Sequence, residues 1–158
     1  PIVEQDHIEF TVLNGEFMNT KSPVKVHTEL VGIDFFAKES TKTRIPLNPH
    51  FEYGFMALEG EATVNGHDLN SDNMVVIEPG ISQIEVELPK GSRLLLIGGE
   101  PFESPILLWW NFVGRTQEEL KTATEQWANQ DARFGTIPDY DGPRLEAPAF
   151  PDKMRASK

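Results

Sequence analysis

The chain has 158 residues, 39% of them apolar, with 25 acidic against 14 basic side chains, a net charge of −11 and no cysteine. That length suits one domain with a real core, and the lack of cysteine excludes disulfides, thiolate catalysis and cysteine-ligated zinc. The acidic balance, with no Lys/Arg cluster, argues against direct binding to nucleic acid or an anionic membrane, and no apolar run reaches the ~18 residues of a membrane span.

In chain order, residues 1–6 read as an entry linker, and a start at Pro-Ile-Val-Glu without Met suits a piece of something longer. No signal peptide precedes the domain, so a soluble, cytoplasmic protein is expected. Residues 7–13 (HIEFTVL) form a strand ended by Asn14-Gly15. Lys21-Ser22-Pro23 breaks the chain, and residues 24–27 form a short edge strand, the place where proline is tolerated. Residues 28–37 (TELVGIDFFA) are a buried strand and 38–43 (KESTKT) a polar turn. Two apolar runs follow, Phe55 to Leu58 and Ala62 to Val64, joined at Glu59-Gly60 and closed by Asn65-Gly66. Gly and Asn reach the φ > 0 conformations of tight turns, so this stretch predicts a β-meander.

Residues 74–77 are a short apolar strand stopped by Pro79-Gly80, and residues 94–97 another, closed by Gly98-Gly99. Between them, residues 83–88 (QIEVEL) alternate, with Ile84, Val86 and Leu88 on one face and Gln83, Glu85 and Glu87 on the other. About nine short strands punctuated by turns predict a sandwich or barrel rather than a βαβ fold. Thr116-Gln117-Glu118-Glu119 is a capping box. Leu120, Ala123, Trp127 and Ala128 recur at helical spacing, which predicts a helix over about residues 117–129 with that stripe packed on the barrel. From Ala132 the chain is rich in Pro and Gly and reads as an extended strap, residues 131–158 forming a tail whose last six residues fray.

The stretch Tyr53-Gly54-Phe55-Met56-Ala57-Leu58-Glu59-Gly60-Glu61-Ala62-Thr63-Val64-Asn65-Gly66 resembles the first conserved motif of the cupin superfamily, and Ile77-Glu78-Pro79-Gly80-Ile81-Ser82-Gln83 resembles the second. The resemblance implies an all-β cupin jelly roll, a double-stranded β-helix. Metal-binding cupins carry three His and one Glu at offsets that fall here on Leu47, Pro49, Tyr53 and Gln83, none of them a match. A second resemblance is more specific. Ile97-Gly98-Gly99-Glu100-Pro101-Phe102-Glu103-Ser104-Pro105-Ile106, followed by Trp109-Trp110-Asn111-Phe112-Val113-Gly114-Arg115-Thr116-Gln117-Glu118-Glu119, is similar to a signature of the pirin family, and Asn14-Gly15 and Lys21-Ser22-Pro23-Val24 fit it too.

That resemblance covers residues 7–130 and implies the C-terminal cupin domain of a pirin-like protein. Pirins resemble two cupin barrels in tandem. Iron or another divalent metal is then expected in the N-terminal barrel, outside this chain, with a quercetin 2,3-dioxygenase-like activity and, in animals, a transcriptional co-regulator role. For this chain the resemblance implies no metal, no catalytic residue of its own, and packing on the N-terminal barrel. A part in lining the dioxygenase pocket and a self-standing ligand-binding cupin are the alternatives, and a homodimer is expected if apolar surface is left uncovered.

Among single residues, Tyr53 and Gln83 should point into the barrel as paired polar groups or as anchors of a small-ligand pocket, because an unpaired buried polar group costs ~1–3 kcal/mol. His50 and Glu52 form an i, i+2 pair on one strand face, read as a polar rim or as a candidate for a metal or ligand, and His27 and Glu29 form another. His67 is a solvated turn residue, and His7 has no visible partner. Trp109, Trp110 and Phe112 cannot all face inward, so at least one ring meets a neighbouring surface such as the helix, the strap or the missing barrel. Glu59 and Glu61, flanking a turn, and Asp139, Asp141 and Glu146 in the tail are solvated carboxylates.

Overall fold

A computed structural model describes residues 1–154. The chain forms two compact units, Pro1–Pro101 and Phe102–Lys158. Of the frayed end expected over 153–158, residues 155–158 lie outside the described residues.

The first unit contains β1 (Ile2–Gln5), β2 (Ile8–Asn14), β3 (Glu16–Phe17), β4 (Thr20–Lys21), β5 (Leu30–Ala37), β6 (Thr41–Pro46), β7 (Glu52–Glu59), β8 (Ala62–Val64), β9 (His67–Leu69), β10 (Met74–Ile77), β11 (Gln83–Leu88) and β12 (Arg93–Gly99). They form a six-stranded sheet in the order β1-β2-β5-β12-β7-β10, a four-stranded sheet in the order β6-β11-β8-β9, and the small β3–β4 hairpin. Alternation supplies the core of the jelly roll. Phe10, Ile33, Phe35, Phe55, Leu94 and Leu96 point inward from the larger sheet, and Ile45, Val64, Ile84, Val86 and Leu88 from the smaller. Phe10 meets Phe35 edge-on at 4.8 Å, and Phe17 tilts against Phe10 at 5.3 Å, an arrangement that suits the ring quadrupoles.

Four expectations are corrected here. Residues 1–6 are no linker: β1 pairs antiparallel with β2 across Asp6 and His7, both at positive φ, which close a two-residue hairpin. No strand forms over 24–27. There the buried Ser22 hydroxyl donates to the Leu13 carbonyl and accepts from the Val24 amide, and these bonds replace a ladder. The polar segment 38–43 is already strand from Thr41, because Lys42 pairs with Glu85 and Glu87 across β11. Finally, β7 and β8 do not form a meander. β7 pairs with β10 and β12, whereas β8 pairs with β9 and β11, so the chain changes sheets at Gly60.

The second unit contains β13 (Leu107–Trp109) and β14 (Phe112–Gly114), paired as a hairpin, then α1 (Gln117–Ala128) and a 3₁₀ turn at Ala132–Phe134 inside the segment read as wholly extended. Thr116 Oγ1 accepts from the Glu119 amide at 3.2 Å, and the Glu119 carboxylate accepts from the Arg115 amide at 2.7 Å, one residue before the cap. Leu120 and Ala123 are buried, and Leu120 lies against Gly114 of the hairpin. The strap is tied to this unit: Trp127 Nε1 donates to the Leu145 carbonyl at 2.7 Å, Gln117 Nε2 to that of Asp152 at 3.0 Å, and Phe150 meets Trp109 edge-on. Trp110 rests on Phe112 and Trp127, so the rings at this strand end meet the helix and the strap.

Candidate functional site

The first unit has a cavity of about 1100 Å³. The β3–β4 hairpin forms one side, β5 and β12 the floor, and the segment from Pro46 to Tyr53 the other side. Phe17, Val31, Ile33, Leu47 and Leu96 supply an apolar interior. Each is set there by its strand's alternation or by the turns at either end. Met18 and Asn19 both take positive φ and reverse the hairpin, and Asn48 Oδ1 accepts from the His50 amide to shape the opposite turn.

Tyr53 is 4% exposed and lines this cavity, as the cupin resemblance implied. Its hydroxyl accepts from the Asn48 amide at 2.8 Å and donates to the Asn48 carbonyl at 3.2 Å. Burial pushes the phenol's pKa above its ordinary value, and the Asn48 backbone contact opposes that shift in part. Gln83 corrects its expectation. It is exposed and lies opposite Pro46, because an inward Ile84, Val86 and Leu88 turn the first residue of β11 outward. His50 sits exposed in a turn and Glu52 is exposed at the start of β7. His27 and Glu29 are exposed and lie along the cavity rim. His67 is exposed as the first residue of β9.

A divalent metal does not fit the cupin positions of this chain. Leu47 and Pro49 have no donor side chain, the Tyr53 hydroxyl is committed to Asn48, and Gln83 faces away. Among the described residues no three His, Asp or Glu side chains converge to hold an ion.

Sequence reasoning missed Glu16, Lys21, Asn48, Phe51 and Glu100, which also line the cavity. Asn48-Pro49 ahead of an aromatic strand was the available signal for the Asn48 turn. The hairpin carrying Phe17 had little signal, since Met18 is a poor turn residue and Asn19 alone is weak.

The family described as the pirin C-terminal cupin domain matches residues 32–135. A Pseudomonas aeruginosa protein named "Putative quercetin 2,3-dioxygenase" is 35% identical over 156 residues, 99% of this chain and 50% of its own length. Human pirin is 27% identical over 139 residues, 85% of this chain and 48% of its own. A crystal structure of quercetin 2,3-dioxygenase from Acinetobacter baumannii superposes with a TM-score of 0.91 at 68% identity, covering 100% of this chain and 53% of that one. The chain thus spans about half the length of the relatives it matches. With a jelly roll of the expected kind and a family match over most of the first unit, the hairpin and the helix, the chain belongs to the pirin family.

Proposed function

We propose that this chain is the metal-free, non-catalytic cupin half of a two-barrel pirin, and that it packs on a metal-bearing N-terminal barrel which carries a quercetin 2,3-dioxygenase-like chemistry. One observation supports the packing above all: the two sheets differ in what their outer faces present. On the smaller sheet the outer face is charged and internally paired, with Lys42 bonded to Glu85 and Glu87 and Thr63 to Asp68. On the larger sheet the outer face is apolar across β10, β7 and β12, where Val76 and Ile97 flank Gly54 and Met74 and Leu95 flank Met56, and the Asp34–Arg93 ion pair lies beside this patch. Val76 is 56% exposed, Met74 49% and Ile97 47%. An antiparallel sheet that faces water is polar on that side, so an apolar face of this kind is built to be covered. Relatives about twice as long supply the candidate cover, and a second copy of the chain is the alternative occupant.

Two measurements on defined proteins test this reading. Elemental mass spectrometry of the chain, after incubation with iron, manganese and zinc, should give less than about a tenth of an equivalent. Near one equivalent, lost on His27→Ala or His50→Ala, overturns the metal-free assignment. In the two-barrel protein, Val76→Lys with Ile97→Lys should split one cooperative melting transition into two. A single transition at an unchanged midpoint overturns the packing.

A further inference from the structure

Three features of the cavity remain unused by this reading. First, its size of about 1100 Å³ and its apolar interior suit a small organic molecule, since ligand pockets span roughly 300–1,000 Å³. Second, its one deeply buried polar side chain points to a particular hydrogen-bond polarity. Tyr53 has a single O–H, and that donor is spent on the Asn48 carbonyl. Its oxygen accepts once, from the Asn48 amide, and keeps one further lone pair. Towards a ligand Tyr53 is therefore an acceptor. Third, the rim is acidic. Glu16, Glu29 and Glu100 line it against one lysine, Lys21, and none of these four has an ion-pair partner among the described residues. Elsewhere on this unit several cations are paired, Lys38 with Glu4 and Glu9, Lys90 with Glu39, and Arg93 with Asp34.

We propose that this cavity is a binding site for an organic cation, a primary amine carried on an aromatic or aliphatic body. The body lies on Phe17, Val31 and Leu47, while the ammonium donates to the rim carboxylates. Three rim carboxylates and the Tyr53 oxygen give an ammonium charge-assisted acceptors, against which the rim sets one lysine, Lys21, and the side chains of Asn19, His27, Thr28 and Asn48. Carboxylates around a low-dielectric concavity also focus a negative potential into it. Aromatic rings line both sides of the cavity, Phe17 on one and Phe51 and Tyr53 on the other, and the faces of such rings attract cations. The site does not depend on what covers the outer sheet face, because every residue named lies in the first unit.

The test uses the whole chain and three naphthalene probes of matched shape: 1-naphthylethylamine, 1-ethylnaphthalene and 1-naphthaleneacetate, followed by amide chemical shifts. The amine should bind saturably at millimolar concentration or below, shift Phe17, Glu29 and Tyr53, and bind about tenfold tighter than the carboxylate at low salt. Glu29→Gln with Glu100→Gln changes only exposed side chains, and it should erase most of that preference. Leu47→Trp fills the cavity and should abolish binding of all three probes. Equal or tighter binding of the carboxylate, no saturable binding of the amine, or full retention of the amine preference in the glutamine variant would each overturn the proposal.

Discussion

The Tyr53 hydroxyl is bonded to both backbone polar groups of Asn48, at 2.8 Å from the amide nitrogen and 3.2 Å from the carbonyl oxygen. At a place where cupins commonly offer a metal ligand, this side chain instead closes a backbone turn. Tyr53→Phe leaves the Asn48 amide without its partner and should destabilise the chain by about 1–3 kcal/mol in urea denaturation. A loss within the scatter of surface substitutions would show that water replaces the hydroxyl without penalty.

The same phenol makes stability depend on alkaline pH. Burial raises its folded-state pKa above the unfolded value of about 10. Between those two values the unfolded chain binds fewer protons than the folded one, so stability falls as pH rises. The contribution is complete below the unfolded pKa and is lost through the folded pKa. Urea midpoints measured from pH 9 upward should therefore fall more steeply for the wild type than for Tyr53→Phe. Parallel curves would mean that the buried phenol does not drive the alkaline loss.

Gly15 and Gly66 both take positive φ but differ in their surroundings. A Cβ on Gly15 would lie 2.0 Å from the Leu30 carbonyl oxygen, whereas one on Gly66 meets nothing within 4 Å. Gly66→Ala should cost about 1 kcal/mol for the left-handed backbone alone. Gly15→Ala adds a backbone collision beside the β3–β4 hairpin and should cost about 3 kcal/mol or more. Equal costs from thermal unfolding would show that the hairpin shifts freely.

Trp127 anchors the strap through its bond to the Leu145 carbonyl and through the Arg144 guanidinium stacked 4.8 Å from its ring centroid. Trp127→Phe keeps an aromatic ring and loses the N–H donor. Loss of one hydrogen bond of about 1 kcal/mol should raise trypsin cleavage after Arg144 about fivefold, with the cleavage following local opening of the strap. An unchanged cleavage rate would place the hold on the strap elsewhere, at Phe150 or Gln117.

Local chemistry left clear marks in the chain. The alternation of Ile84, Val86 and Leu88 is a property of consecutive residues, and the structure keeps it. The Thr116–Glu119 cap and the helical stripe of Leu120 and Ala123 were equally legible, as were the positive-φ turns at Gly15, Gly60 and Gly66. The jelly roll and the pirin C-terminal family followed from motif resemblance, which is a comparison rather than a physical deduction.

Tertiary structure alone decided which strands pair. Gly60 announces a reversal of the chain, but closure of two sheets around one core sends β7 to β12 and β8 to β11. The orientation of Gln83 shows the same limit from another side: counting along a motif put it inside, while the pleat of β11 turns it out. The cavity depends on residues as distant as Phe17, Val31, Tyr53 and Leu96, whose meeting is a matter of long-range packing. Spacing in a sequence reports on neighbours within one element, and it says little about contacts whose cost in chain entropy is repaid only when the whole core forms.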